Sequence, residues 1–367
     1  MLIGVVGGGQ LGRMLGLAGI PLGHRFRFLD PDPACPAAAV GEVVAARFDD
    51  VDAIAGFARG LDAATFEFEN VPAAALEALA ARVRVAPGVR SLAVAQDRIA
   101  EKDFFRACRI PVQAYEAVSS EHELAAACGR VGFPGVLKTR RLGYDGKGQA
   151  VVRTPRDVPA AWQAVGGAPC IYEAFVEFQH EVSVIAVRGG DGQTVVYPLN
   201  QNVHRAGILR TTLAPAPAAD AGMQAAAEAF VQTAMDALGH VGTLTIEFFA
   251  TREGLVANEM APRVHNSGHW TIEGAVTSQF ENHVRAVAGE PLGSAAARGP
   301  SAMVNLIGRL PARDAVLAVP GAKLHDYGKA PRRGRKVGHA SVCAPDAAVR
   351  DAQVRVLAAL AEESADG

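Results

Sequence analysis

Two glutamates flanking one tight turn constrain this chain more than any other feature. Thr243 to Phe249 alternates around Glu247 as a strand does, and the return stretch ends at Asn258-Glu259. Closure through a three-residue loop, Arg252-Glu253-Gly254, sets Glu247 opposite Glu259 on one face of a hairpin. Directly opposed like charges are unfavourable unless something positive lies between them. A divalent ion answers this, because magnesium takes one or two carboxylates and completes its shell with water and phosphate. A hairpin whose acids simply face solvent is the alternative. The following residues weigh against it, since Asn258-Glu259-Met260-Ala261-Pro262-Arg263-Val264-His265-Asn266-Ser267-Gly268-His269-Trp270 concentrates polar and charged groups that ordinary packing does not need.

The chain has 367 residues, half of them hydrophobic, which is enough for two or three domains with their own cores. No uninterrupted apolar stretch reaches membrane-spanning length, and Met1 to Val6 reads as a buried strand, not a signal peptide. A formal charge of −2 gives no general attraction to nucleic acid. Cys35, Cys108, Cys128, Cys170 and Cys343 show no C-x-x-C spacing, so free thiols in a reducing cytoplasm are expected.

The first ~95 residues alternate strand and helix as a parallel sheet requires. Strands are expected at Ile3–Val6, Arg25–Leu29 and Ala63–Phe68, with helices from Leu11 to Leu17 and Pro72 to Ala81. One amphipathic helix is expected over Val94–Ala107. Next come a capped helix at Ser120–Val131 and short strands at Val136–Lys138 and Ala150–Val152. Stretches near Cys170–Tyr172, Glu181–Val187 and Thr194–Pro198 read as one antiparallel sheet, and helices follow at Ala221–Leu238, Ser278–Ala288 and Ala347–Glu363.

Two glycine loops compete for phosphate. Gly7-Gly8-Gly9-Gln10-Leu11-Gly12 follows a strand, opens a helix and favours an anion at that helix N-terminus. Asp30 ends the next strand, where a dinucleotide fold carries its ribose-binding acid, so NAD stays open beside a phosphorylated substrate. Gly143-Tyr144-Asp145-Gly146-Lys147-Gly148-Gln149 is not a Walker loop, yet its amides can fold over a triphosphate, with Lys138 supplying a point charge. Lys329, Arg332, Arg333, Arg335 and Lys336 form a basic run that reads as a solvated face or as a site for a substrate 5′-phosphate. Glu67 and Glu69 alternate onto one strand face toward its C-terminal end, where α/β sheets bind ligands.

Together these motifs resemble the ATP-grasp ligases and, within them, the N5-carboxyaminoimidazole ribonucleotide synthetases. The resemblance rests on Gly-Gly-Gly-Gln-Leu-Gly-Arg-Met at 7–14, Phe-Glu-Phe-Glu-Asn-Val at 66–71, Gln-Asp-Arg at 96–98, the 143–149 loop, the 258–270 run and Gly-Arg-Lys-Val-Gly-His at 334–339. It implies an α/β and α+β architecture in three parts. These are a Rossmann-like domain over 1–95, an ATP-grasp domain over 96–292 (core about 102–287), and a small β-rich C-terminal domain over 293–367 that completes the substrate site. It further implies that Arg98 and Lys138 contact phosphates and that Gly143, Tyr144, Asp145, Gly146, Lys147, Gly148 and Gln149 form a lid. Glu173, Ala174, Phe175 and Val176 would read adenine through the backbone, Glu181 would hold the ribose, and His204 and Asn258 would lie beside the nucleotide. Glu247 and Glu259 would ligate Mg2+ or Mn2+.

The implied reaction carboxylates 5-aminoimidazole ribonucleotide with ATP and bicarbonate through carboxyphosphate, in purine biosynthesis. Lys138, Arg263 and His265 are the catalytic candidates. The substrate candidates are Gly9, Gln10, Leu11, Glu67, Glu69, Tyr144, Asp145, Arg263, His265, Asn266, Ser267, Lys329, Arg335 and Lys336. Partners are small molecules, with neither nucleic acid nor membrane, and the resemblance implies a cytoplasmic homodimer. Leu142 and Gln201 depart from the family pattern. The rivals are another ATP-grasp enzyme, such as the formate-dependent glycinamide ribonucleotide transformylase or biotin carboxylase, a dehydrogenase, and a non-catalytic ATP-binding regulator.

Overall fold

The computed structural model describes residues 1–143 and 146–365. Its N-terminal sheet is parallel, in the order Glu42–Ala45, Arg25–Asp30, Leu2–Val6, Ala63–Phe66. Continuous apolar runs suit strands covered on both faces, and Val5, Phe28 and Phe66 are fully buried. The helix Gln10–Gly19 crosses behind this sheet with Leu11, Met14 and Leu15 turned inward. The last strand stops at Phe66, short of the expected Phe68. The helix expected over Val94–Ala107 is two, Val89–Ala95 and Arg98–Ala107. Asp97 causes the break, because its carboxylate caps the second helix by accepting the Ile99 amide at 3.0 Å.

The strands expected in one antiparallel sheet fall into two. A four-stranded sheet runs Tyr115–Val118, Cys170–Ala174, Gly135–Thr139, Gln149–Val152. Among the described residues a nine-stranded sheet runs Gly254–Ala261, Gly242–Thr251, His180–Arg188, Asn200–Arg205, Ile208–Ala214, Ser301–Gly308, Arg332–Cys343, Lys323–Asp326, with Thr194–Val196 beside His180–Arg188. The C-terminal strands therefore extend the central sheet through the pairing of Ile208–Ala214 with Ser301–Gly308. The helix Ala221–Leu238 lays Ala227, Val231 and Met235 against Val184, Leu244, Ile246 and Phe248, which makes the central core.

The hairpin differs from expectation in mechanism, not in result. Thr251 pairs with Gly254, so the turn has two residues, Arg252 and Glu253. That register alone would place Asn258 opposite Glu247. A bulge intervenes: Phe248 pairs with Ala257 but Glu247 pairs with Glu259, leaving Asn258 as the extra residue.

Two buried histidines tie this sheet to its neighbours. His240 contacts the Ser91 hydroxyl and the Thr243 carbonyl, each at 3.0 Å. His283 Nδ1 accepts the Thr243 amide at 3.0 Å, and its Nε2 meets Thr65 at 2.9 Å. Burial pushes His240 down to about 4, and burial together with His240 pushes His283 down to about 3. The unfolded chain therefore binds these protons first. The stability they contribute is full above the ordinary histidine value of about 6.5 and drains as pH falls through 5 toward 4, at about 1.4 kcal/mol per pH unit per histidine. Thermal unfolding should show a melting temperature clearly lower at pH 5 than at pH 7, and a flat profile over that interval would contradict the assignment.

Candidate active site

A cleft of about 260 Å3 opens where the three parts of the chain meet. Gln10, Leu11 and Glu69 line it from the N-terminal part, and Lys336 from the C-terminal strands. Arg98, His204, Glu247, Glu259, Arg263, His265 and Asn266 supply the centre. Glu259 accepts from Arg98 at 2.9 Å. Burial raises the Glu259 carboxyl, but Arg98 and Lys138 overcome this and hold it below the usual carboxylate range. At Glu247 the balance goes the other way, and burial and then the charge of Glu259 push it up to about 7. His265 Nε2 stands 3.3 Å from Glu247. Burial, then Arg263 and Lys336, push His265 well below the ordinary histidine value, so its imidazole is neutral.

No cluster of three or more His, Cys, Asp or Glu suited to a metal occurs among the described residues. A pair of facing carboxylates is nevertheless what magnesium asks of a protein when phosphates and water complete its shell. The donor set fits.

Lys138 reaches Glu173 at 2.6 Å and the Asn258 side-chain oxygen at 3.3 Å. Burial raises Glu173, but Lys138 and Lys102 outweigh it and bring the carboxyl down to about 2. The strand ends at Ala174, whose amide donates to the Ala114 carbonyl; the Phe175 amide then donates to the Pro134 carbonyl, and Phe175 and Phe178 lie exposed. Glu181 and His204 meet at 2.8 Å. The hydrogen bond to Glu181 and the charges of Glu247 and Glu181 raise His204 despite the opposing effect of burial.

Gly143, Gly146, Lys147, Gly148 and Gln149 cap the strand pair beside Lys138; Tyr144 and Asp145 lie outside the described residues. Gly146 has φ +75°, and a Cβ there would sit 3.1 Å from the Ala206 carbonyl, so this position needs glycine to lie against the Ala206-Gly207 turn. Leu142 holds φ 64° while 72% exposed, a left-handed conformation that costs a non-glycine residue about 1–2 kcal/mol. Gln201 accepts the Ala218 amide at 3.2 Å.

The first glycine loop overturns an expectation. Its helix N-terminus does hold an anion, but the anion is the chain's own Glu67, which accepts the amides of Gly9 at 2.9 Å and Gly12 at 3.0 Å. Asp30 accepts the Gly8 amide at 2.8 Å. The amides expected to face a ligand phosphate are therefore engaged, and Asp30 is turned from a ribose toward the loop. Glu67 and Glu69 also part company, because the strand ends at Phe66: Glu67 is buried under the loop, whereas Glu69 enters the cleft and pairs with Arg263 at 2.7 Å. Ser267, expected to touch substrate, is fully buried, with its hydroxyl 2.8 Å from Ser183 and 2.9 Å from His265 Nδ1. Lys329 donates to Gln10, and Arg335 reaches the Ala330 carbonyl at 3.3 Å.

Residues 1–96 match the ribonucleotide synthetase preATP-grasp domain, residues 103–280 the ATP-grasp domain, and residues 301–353 the phosphoribosylaminoimidazole carboxylase C-terminal domain. The N5-carboxyaminoimidazole ribonucleotide synthase of Pseudomonas aeruginosa is 51% identical over 362 residues, covering 99% of this chain and 100% of that protein. The chain belongs to the N5-carboxyaminoimidazole ribonucleotide synthase family. It is an ATP-grasp ligase. The synthetase structure from Thermus thermophilus superposes with TM-score 0.94 at 52% identity over 98% of both chains. The Aspergillus clavatus synthase in complex with ADP and 5-aminoimidazole ribonucleotide superposes with TM-score 0.93 at 31% identity over 99% of this chain and 98% of that one.

Sequence reasoning gave no role to Glu101, which lines the cleft, to Lys102 behind it, or to Asp97, quoted only within the Gln-Asp-Arg motif, which binds Arg140 at 2.8 Å. Their signal was present: an adjacent acid and base stand just before Phe104-Phe105 on the buried face of a helix. Because the loop amides serve Asp30 and Glu67, calorimetry should detect no micromolar binding of NAD or NADP. Such binding would contradict this account of the glycine loop.

Proposed function

We propose that this chain carboxylates 5-aminoimidazole ribonucleotide with ATP and bicarbonate, releasing ADP and phosphate and forming N5-carboxyaminoimidazole ribonucleotide. One observation carries the reading. Phosphoryl-transfer groups (Arg98, Glu247, Glu259) and acceptor-side groups (Gln10, Arg263, Asn266, Lys336) line a single cleft, and Lys138 reaches Asn258, the residue before Glu259, at 3.3 Å. A relative of the same fold holds ADP together with 5-aminoimidazole ribonucleotide, the pairing such a cleft suits.

Bicarbonate is a poor electrophile. Its oxygen attacks the γ-phosphorus as the bond to ADP breaks, giving carboxyphosphate, which splits to carbon dioxide and phosphate. The exocyclic amine of the imidazole then bonds to that carbon and loses a proton. Lys138 and Arg263 place positive charge where negative charge develops, the largest contribution a protein makes to phosphoryl transfer. Glu247 and Glu259 would hold a magnesium ion, which would supply charge neutralisation for the phosphates. His265 stands beside Glu247: its Nδ1 accepts the Ser267 amide at 3.3 Å, so the proton stays on Nε2, which lies 3.3 Å from the carboxylate. Gly143 to Gln149 close the site against water, which would otherwise hydrolyse carboxyphosphate. Glu173 to Val176 take adenine, Glu181 the ribose, and Lys329, Arg335 and Lys336 the substrate 5′-phosphate. Burial, with Arg335 and Lys336 and against Glu67, pulls Lys329 down to about 8.

The division at 1–95, 96–292 and 293–367 follows these tasks: acceptor loop, nucleotide site, and phosphate clamp. The same reading makes the protein a cytoplasmic homodimer, consistent with five free thiols and checked by light scattering.

ADP release should require both bicarbonate and the aminoimidazole ribonucleotide when each is omitted in turn. Release with glycinamide ribonucleotide and formate, and none with the imidazole, would assign the chain to the transformylases instead. Lys336→Ala should weaken ribonucleotide binding by about 1.5–3 kcal/mol, as for a charged hydrogen bond, and leave the KM for ATP nearly unchanged. Arg263→Lys keeps charge but loses the planar fork, so it should lower kcat more than it raises either KM. Steady-state kinetics on both variants decides whether the two clusters serve different substrates.

A further inference from the structure

The bulge at Asn258 raises a physical question. An unpaired extra residue leaves backbone carbonyls without partners across the ladder, and buried carbonyls need partners. The answer lies on the helix Arg98–Ala107. Lys102, fully buried, donates from Nζ to the Ala257 carbonyl at 2.9 Å and to the Asn258 carbonyl at 2.6 Å. One residue before it, Glu101 accepts the Met260 amide at 2.6 Å, and one turn before it, Arg98 holds the Glu259 carboxylate. A single helical face thus grips positions 257 to 260 in succession. Lys102 also stands 3.5 Å from Glu173, whose other oxygen binds Lys138 at 2.6 Å.

We propose that Lys102 is a positioning residue for the metal–nucleotide site: it holds the Asn258 bulge that brings Glu259 opposite Glu247. The inference rests on the reading of those two glutamates as the metal pair. An ammonium group suits this task because its three donors serve the two adjacent carbonyls and the Gln113 side-chain oxygen at 3.4 Å, while its charge stands beside the Glu173 carboxylate. Without it the ladder would relax toward the regular register of the two-residue turn, with Asn258 facing Glu247 and Glu259 displaced from the pair. Sharing Glu173 with Lys102 also leaves part of the Lys138 charge for phosphate.

The test must separate positioning from simple neutralisation of Glu173, since removing one partner of a buried pair is itself destabilising. The Lys102→Met/Glu173→Gln double variant removes both members of the buried Lys102–Glu173 pair, Glu173→Gln alone keeps Lys102 on the bulge, and Lys138 loses the Glu173 carboxylate equally in both. Mn2+ binding in the presence of ADP, read by electron paramagnetic resonance, and thermal melting are measured on the parent and both variants. The double variant should melt as a folded protein and bind Mn2+ at least tenfold more weakly than Glu173→Gln. Equal affinity in those two variants overturns the inference, and so does failure of the double variant to fold, which would make Lys102 a determinant of the fold. A parent that binds no Mn2+ with ADP would instead remove the metal reading beneath it.

Discussion

Two carboxylates held face to face in a partly buried cleft are the constraint around which the centre of this protein is arranged. Left alone, Glu247 and Glu259 repel, and the opposing pull on their proton affinities records that cost. The surroundings answer asymmetrically. Arg98 and Lys138 favour the ionised form of Glu259, while a neutral imidazole attends Glu247. One acid is thus kept charged while the other is pushed toward its protonated form, the asymmetry on which the proposed divalent-ion site rests. Lys138 faces the same economy, because Glu173 shares its attention between Lys138 and Lys102.

The glycine loop at residues 7–12 makes a point about how such motifs are read. Its pattern reports a helix N-terminus with amides available to an anion, and that physics holds here. It does not report whose anion. The strand ending at Phe66 delivers Glu67 beneath the loop, and the internal carboxylate takes the place that a dinucleotide fold leaves for pyrophosphate. A Cβ on Gly9 would sit 2.5 Å from the Glu67 carboxylate, so the loop's glycine is needed to admit a side chain of the same protein. The neighbouring Gln10 and Leu11 are left facing the cleft.

Much of the architecture was legible because it is local. Strand and helix alternation over the first ~95 residues, the capped helix after Ser120 and the helix Ala221–Leu238 all follow from periodicity and caps. The opposition of Glu247 and Glu259 was also legible, but through a loop length that the structure does not have. A two-residue turn and a bulge at Asn258 give the same pairing as a regular hairpin with one more loop residue. Spacing alone cannot distinguish them, because both shift the register by one. Partition of the central strands into two sheets was not legible either, since short strands carry no mark of their partner. The break at Asp97 was missed because an amphipathic period runs through it, and an N-cap aspartate outweighs that period only once its carboxylate meets the amide of Ile99.

What stayed hidden in the site shares one property: it acts through groups of distant sequence position. Glu101 and Lys102 meet the hairpin more than 150 residues downstream. Read in isolation, an acid and a base beside two phenylalanines look like a tolerated defect on an apolar face. Burying charge is costly enough that such residues persist only where partners are assured. Their partners here are the backbone of the irregular strand and the acid that tethers Lys138. Irregular backbone and buried charge thus answer each other: the bulge supplies carbonyls that solvate an ammonium, and the ammonium satisfies a bulge that the ladder cannot. Each feature alone would be destabilising, and together they turn a common hairpin into a support that sets where Glu259 stands.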